Sequence, residues 1–130
     1  KKIEQYDRRK IAPVGVIIGD VNELKQMNDT HGHYYGDQLI IKTAEQLKSN
    51  LPNGIVGRYG GDEFLILLKD TNIEETKIIA SVIENINDTL IVADIKVTIA
   101  LGYAVKRDEK ESLKVVIIEA EKAMYQHKRR

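Results

Sequence analysis

Two short apolar runs, Gly54-Ile55-Val56-Gly57 and Phe64-Leu65-Ile66-Leu67-Leu68, flank Arg58-Tyr59-Gly60-Gly61-Asp62-Glu63, and this arrangement constrains the fold more than any other part of the chain. Both runs read as short buried strands. Two glycines followed by an acid make a tight hairpin turn, because glycine accepts positive φ at no steric cost. Turn-making alone does not require the rest. Asp62 and Glu63 set adjacent carboxylates at the mouth of a buried strand, and two residues without side chains let another molecule approach the backbone. That combination suits a metal-bound phosphate.

A third apolar run, residues 14–19, has no polar alternation and reads as a central strand covered on both faces; it delivers Asp20 at its C-terminal end. Around these strands the pattern predicts a helical tail within residues 1–10, ended by Pro13, and a short helix over 22–29. Gly32 and Gly36 bracket a loop, and a helix follows over 37–50 with Ile40, Ala44 and Leu47 on one face. Pro52-Asn53-Gly54 is a turn. Residues 70–72 offer a cap to a helix over 73–90, whose Ile79, Val82, Ile83, Ile86 and Leu90 form one buried stripe. Residues 95–101 alternate, so that strand has one face in the core. Ser112 caps a last helix in which Leu113, Val116, Ile117, Ala120, Ala123 and Met124 recur at helical spacing. The order β-α-α-β-β-α-β-α predicts an α+β fold, a ferredoxin-like layer with helices flanking a mostly antiparallel central sheet.

At 130 residues the chain suits one domain over 1–130 and is too short for two. Lys plus Arg and Asp plus Glu number 20 each, which gives no support for a broad nucleic-acid-binding face. Without cysteine, neither disulfides nor thiolate chemistry are available, which fits a reducing compartment. No apolar run approaches the roughly 18 residues of a membrane helix. Beginning at Lys1 with no signal-peptide pattern, the chain reads as a piece of a larger protein.

Residues 20–37 hold the second concentration of chemistry. With the hairpin acids, Asp20 makes an oxygen-rich site for a hard divalent cation such as magnesium, which keeps substrate phosphates among its ligands. Lys25, one helical turn further on, balances phosphate charge. Asn28 both donates and accepts, and Asp37 accepts two N–H bonds side by side, which matches the N1–H and 2-amino edge of guanine. Simpler readings stand beside these. Asp62 and Glu63 serve as ordinary turn acids, Asp20 as a helix cap, Asp37 as an N-cap, and Lys25 as a solvated lysine. His33 reads as a loop imidazole bonded to backbone, and residues 127–130 as a frayed basic helix end.

Three blocks together resemble the GGDEF domain of bacterial diguanylate cyclases. They are Gly60-Gly61-Asp62-Glu63-Phe64 after Arg58-Tyr59; Asp20, Leu24-Lys25, Asn28-Asp29, Gly32-His33 and Gly36-Asp37; and the closing Ala120-Glu121-Lys122-Ala123-Met124-Tyr125-Gln126-His127-Lys128. The resemblance runs essentially the whole chain, in order, and implies a cyclase-palm form of the α+β layer. It implies two Mg²⁺ ions (Mn²⁺ as a substitute) held by Asp20 and Asp62 with the backbone carbonyl of Val21, and Glu63 at the same centre. Gly60 and Gly61 would pack against the triphosphate of GTP, Asn28 and Asp37 would bind guanine, and Lys25 and Lys128 would meet phosphates, Lys25 acting catalytically beside Asp62 and Glu63. The implied reaction condenses two GTP into cyclic di-GMP and releases two pyrophosphates. One subunit presents one GTP, so the reaction needs a second copy of the domain in a two-fold homodimer. The implied setting is cytoplasmic, with an upstream sensory or signalling domain and no nucleic-acid partner.

The departures from the family carry expectations of their own. Leu51-Pro52-Asn53-Gly54 stands where many relatives have an Arg-x-x-Asp product-inhibition site, so no feedback is expected there. Asn22 stands where relatives often carry a second aspartate, a change that removes no metal ligand. The family's N-terminal Leu-Thr-Gly-Leu segment and the basic residue after its last helix are missing, so the domain is expected to be truncated at both ends. Asp37 favours guanine over adenine. Two rivals remain from the residues alone: a catalytically silent GTP-binding regulatory module, and a metal-dependent phosphodiesterase or nuclease that leaves the Asn28–Asp37 pair unexplained.

Overall fold

A computed structural model describes residues 2–21, 29, 32–51, 54–59, 63–87, 91–92, 95–96 and 99–128, with backbone alone for 2, 33–37, 58, 86–87, 91–92, 95–96 and 127–128. In chain order its elements are α1 (Lys2–Arg8), β1 (Val14–Val21), α2 (His33–Asn50), β2 (Ile55–Arg58), β3 (Glu63–Lys69), α3 (Ile73–Asn87), β4 (Ile91–Val92), β5 (Ile95–Lys96), β6 (Ile99–Lys106) and α4 (Leu113–Lys128). Four strands form an antiparallel sheet ordered β2-β3-β1-β6. The predicted α+β layer is therefore the observed one, with the unalternating run 14–19 inside the sheet and every residue of β1 buried.

Helices cover both faces, and the pleat of each strand feeds both cores. On one face Ile17, Val21, Phe64, Ile66, Leu68 and Leu101 pack with Leu39 and Leu47 of α2 and with Ala80 and Ile83 of α3. On the other, Val14, Val16, Ile18, Leu65, Leu67 and Ala100 meet Leu113, Val116, Ile117, Ala120 and Met124 of α4, with Tyr6 of α1 alongside. Each fully buried aliphatic side chain contributes about 1.5–3 kcal/mol, so both layers are needed to hold the central strand.

Several expectations are corrected. The second helix starts at His33, not at 37, so Gly36 and Asp37 lie inside it; His33 is its first residue rather than a loop residue, and Asp37 is not its N-cap. Gly32 holds that position with φ 88°, a left-handed conformation that glycine adopts freely. A glycine inside a helix costs about 1 kcal/mol, and the burial of Leu39, Thr43 and Leu47 along one stripe outweighs it. Ile40 and Ala44 flank that stripe, half-buried. Among the described side chains of α3 the buried ones are Thr76, Ala80 and Ile83, with Ile79 half-buried, whereas Val82 faces outward, 43% exposed; the side chain of Ile86 and all of Leu90 lie outside the described residues. Asn72 is the cap: its Oδ1 accepts from Glu75 N–H at 2.9 Å and Glu75 Oε1 accepts from Asn72 N–H at 3.3 Å, a reciprocal box.

The strand expected at 95–101 divides. Ile95–Lys96 pairs with Ile91–Val92 in a separate two-stranded ribbon, and the long strand is Ile99–Lys106. It buries both faces, not one: Ile99 and Leu101 enter one core, while Ala100 and Gly102 lie under α4. A Cβ at Gly102 would overlap the Ala120 carbonyl oxygen and the Met124 nitrogen and stand 2.9 Å from Met124 Cα. Small residues that look neutral in sequence here mark the close approach of a helix backbone.

Candidate metal and nucleotide site

β1 ends where β3 begins, and the ladder sets Asp20 directly opposite Glu63, with Ala100 of β6 on its other side. Directly opposed residues share a face, with Cβ atoms about 4.5–5.5 Å apart. Two carboxylates therefore stand together on the face that α4 covers. Asp20 is 4% exposed, and Oδ1 of Asp20 and Oε1 of Glu63 are both shut off from solvent. Like charges held side by side repel, and a cation beside them would offset that repulsion. Val21 follows, buried, with its side chain in the opposite core and its carbonyl at the same strand end.

Neighbouring residues hold this corner rigid. Phe64 points to the face opposite Glu63 and is buried with Ile17 and Leu39, which pins the start of β3. Gly19, next to Asp20, leaves room for the Leu101 and Ile99 side chains; a Cβ there would lie 2.9 Å from Leu101 Cδ2 and 3.0 Å from Ile99 Cγ2. The hairpin ladder continues past Arg58↔Phe64 to a bond from Tyr59 N–H to the Glu63 carbonyl at 2.9 Å.

Of the predicted site residues, Asp20, Val21 and Glu63 are brought together. Asp37 lies in the first turns of α2 and Lys128 ends α4, both described by backbone alone. Lys25, Asn28, Gly60, Gly61 and Asp62 lie outside the described residues. The course of α4 still places Lys128 at a definite end of the sheet. Leu113 lies beside the Lys106 end of β6, Ala120 and Met124 lie over Gly102, and Gly102 pairs with Ile18 of β1. The helix therefore runs toward the edge that carries Asp20, and Lys128 is one turn beyond Met124.

Anionic and carbonyl oxygens with no nitrogen or sulfur donor suit a hard cation such as magnesium rather than zinc. Among the described residues no group of three or more His, Cys, Asp or Glu stands together; Asp20 and Glu63 are two of the three expected carboxylates, and the third, Asp62, lies outside the described residues. At the opposite end of the sheet, Leu51, Gly54, Leu68 and Ile79 line a groove of about 370 Å³ rimmed by Asn50, Lys69 and Thr71. This is where the Arg-x-x-Asp pair of many relatives would stand, and the described walls offer no arginine or acid. Sequence reasoning passed over Gly19 and Gly102, although an isolated glycine in a strand signals close approach. It also passed over Asp7, whose carboxylate reaches Lys106, 99 positions away, beyond any local pattern.

Comparison with known proteins bears on the family and the fold. The family model described as diguanylate cyclase, GGDEF domain, matches residues 1–130. Diguanylate cyclase A of Treponema denticola is 32% identical over 120 residues, covering 88% of this chain and 32% of that protein. Diguanylate cyclase DosC of Escherichia coli is 34% identical over 131 residues, covering 96% of this chain and 28% of that protein. The chain thus spans about a third or less of the length of these curated relatives. Among solved structures, diguanylate cyclase SiaD of Pseudomonas aeruginosa, in complex with its activator SiaC, superposes with a TM-score of 0.88 at 27% identity, over 98% of this chain and 52% of that one.

Proposed function

The chain belongs to the GGDEF family of diguanylate cyclase domains, and from that premise we propose that it is a catalytically competent cyclase half-site that joins two GTP into cyclic di-GMP across a two-fold homodimer. The observation that carries the reading is the in-register pair Asp20 and Glu63, two carboxylates with buried oxygens at the mouth of the hairpin. Asp20, Glu63 and the Val21 carbonyl, together with Asp62, would supply the oxygen ligands for two magnesium ions, or manganese in their place. Bound there, such ions would supply positive charge to offset the triphosphate and the charge that develops at phosphorus.

The chain's residues then position and select. Asn28 and Asp37 hold the guanine edge, Gly60 and Gly61 admit the triphosphate against the turn, and Lys25 and Lys128 meet its phosphates. Each subunit presents one GTP. The 3′-hydroxyl oxygen of one nucleotide forms a bond to the α-phosphorus of the other, and the bond from that phosphorus to the pyrophosphate oxygen breaks. The hydroxyl proton passes to Asp62 or to solvent. The second, symmetric attack closes the ring. We place the domain in the cytoplasm, joined to an upstream sensory or signalling segment; among the described residues no helix is long and apolar enough to cross a membrane.

Incubation with GTP and Mg²⁺ across a wide protein concentration range, read by nucleotide chromatography, tests this. Cyclic di-GMP is expected with a steeper-than-linear dependence on protein, and none is expected from Asp62→Ala. GTP binding without product at any concentration would transfer the reading to a silent regulatory module, and hydrolysis of dinucleotides would transfer it to a phosphodiesterase. A second expectation comes from the groove at Leu51 and Gly54. Added cyclic di-GMP leaves the initial rate unchanged through the low-micromolar range. Inhibition there, with dinucleotide bound between α2 and β3, would overturn it.

A further inference from the structure

Asp7 on α1 joins two groups at the far end of the fold from the candidate site. Its Oδ1 accepts from Lys106 Nζ at 3.0 Å, and Lys106, at the end of β6, is completely buried. Oδ1 and Oδ2 also lie 3.1 and 3.3 Å from the backbone nitrogen of Leu113, the first residue of α4. One carboxylate therefore neutralises a buried ammonium and satisfies one of the N–H groups that every helix start leaves without an intrahelical acceptor. A buried ammonium holds its counter-ion closely, so Asp7, Lys106 and the start of α4 form one fixed unit.

From that unit α4 runs 16 residues, about 24 Å, to the edge that carries Asp20 and Glu63. It cannot tilt freely on the way, because its Ala120 and Met124 backbone lies directly against Gly102. With one end tied and the middle in backbone contact, the axial position of α4 sets the position of its last turn. We infer that Asp7 is a positioning residue for the nucleotide site: by tying α1, the end of β6 and the start of α4 together, it sets where the C-terminal turn of α4, with Lys128, stands relative to Asp20 and Glu63. The inference rests on the cyclase reading above for the role of Lys128. It also makes α1 the element through which a displacement from the N-terminal side would reach the site.

The test separates positioning from stability. Asp7→Ala alone strands a buried ammonium and destabilises the fold, so the informative variant is Asp7→Ala with Lys106→Met, which removes the charge and keeps an unbranched apolar stem. At a protein concentration where the parent's rate per subunit has levelled off, this double variant is expected to raise KM for MgGTP about fivefold with kcat within about twofold. Amide exchange across residues 120–126 should quicken, at a temperature well below the melting point. Lys106→Met alone keeps the Asp7–Leu113 contact but loosens the β6 end of the unit, and is expected to raise KM less than twofold. Asp7→Asn with Lys106→Met keeps a side-chain acceptor for Leu113 and is expected to return KM to the value of Lys106→Met alone.

Parental KM and parental exchange in the Asp7→Ala, Lys106→Met protein would overturn the inference. So would faster exchange with unchanged KM, because the tether would then act on the helix without reaching the site. A parent that neither binds MgGTP nor makes product would sink the cyclase reading and this inference with it, whereas an active parent matched by the double variant sinks this inference alone.

Discussion

Asp20→Asn is expected to leave a folded protein that makes cyclic di-GMP about a thousandfold more slowly than its parent. The substitution keeps the size of the side chain and removes one negative charge from the Asp20–Glu63 pair. The amide has nearly the shape of the carboxylate, so the core around Val21 and Ile18 keeps its packing. On the proposed reading it would remove a charged oxygen ligand where transition-state charge develops, and losing one such stabilising group costs about 10²–10³ in rate. Melting curves give the second reading. MgGTP at a hundred times its Kd stabilises the parent by about 2.7 kcal/mol, a shift of about 10 °C. The variant's melting point is expected to stay put when MgGTP is added. Parental product formation by Asp20→Asn would remove Asp20 from the metal centre altogether.

Gly102→Val carries the largest expected effect on stability. A branched side chain at this position drives into the Ala120 carbonyl and the Met124 backbone, and neither has a rotamer to yield. Overpacking of this kind costs about 1–3 kcal/mol and, against main chain, lies at the upper end. For a chain of this size that corresponds to a fall in Tm of about 10 °C, measurable by circular dichroism. Truncating Met124 to Ala is not expected to rescue it, since the obstructing atoms are backbone. Gly15 provides the contrast. A Cβ there meets the Thr76 hydroxyl, a side-chain group, so Gly15→Ala should be partly relieved by Thr76→Ala, where Gly102→Val finds no such relief.

The order of strands and helices was legible because hydrophobic period is a local property. Residues 14–19 and 64–68 announce buried strands wherever they pair, and α4 shows its face in Leu113, Val116, Ile117, Ala120 and Met124. What escaped was decided by partners distant in sequence. Gly36 looks like a helix breaker until the buried stripe at Leu39, Thr43 and Leu47 extends the helix back through it. Ala100 and Gly102 look like the solvent side of a strand until α4 lies on them. In the site, an acid at a strand end was readable for Asp20 and for Glu63 separately. That the two stand opposite each other is a property of strand pairing, which neither segment encodes alone.

That opposition ties chemistry to alignment. If β3 slipped by one residue along β1, Phe64 would stand opposite Asp20, and Glu63 would no longer face it. The same slip would turn Leu65 and Leu67 out of one core and Phe64 and Ile66 out of the other, since side chains alternate strictly across a strand. The hydrophobic alternation that selects the native pairing thus also selects the only pairing in which these two acids meet. On the proposed reading a misaligned chain would have no cation site to offer, so errors of assembly would be silent instead of producing a spurious message.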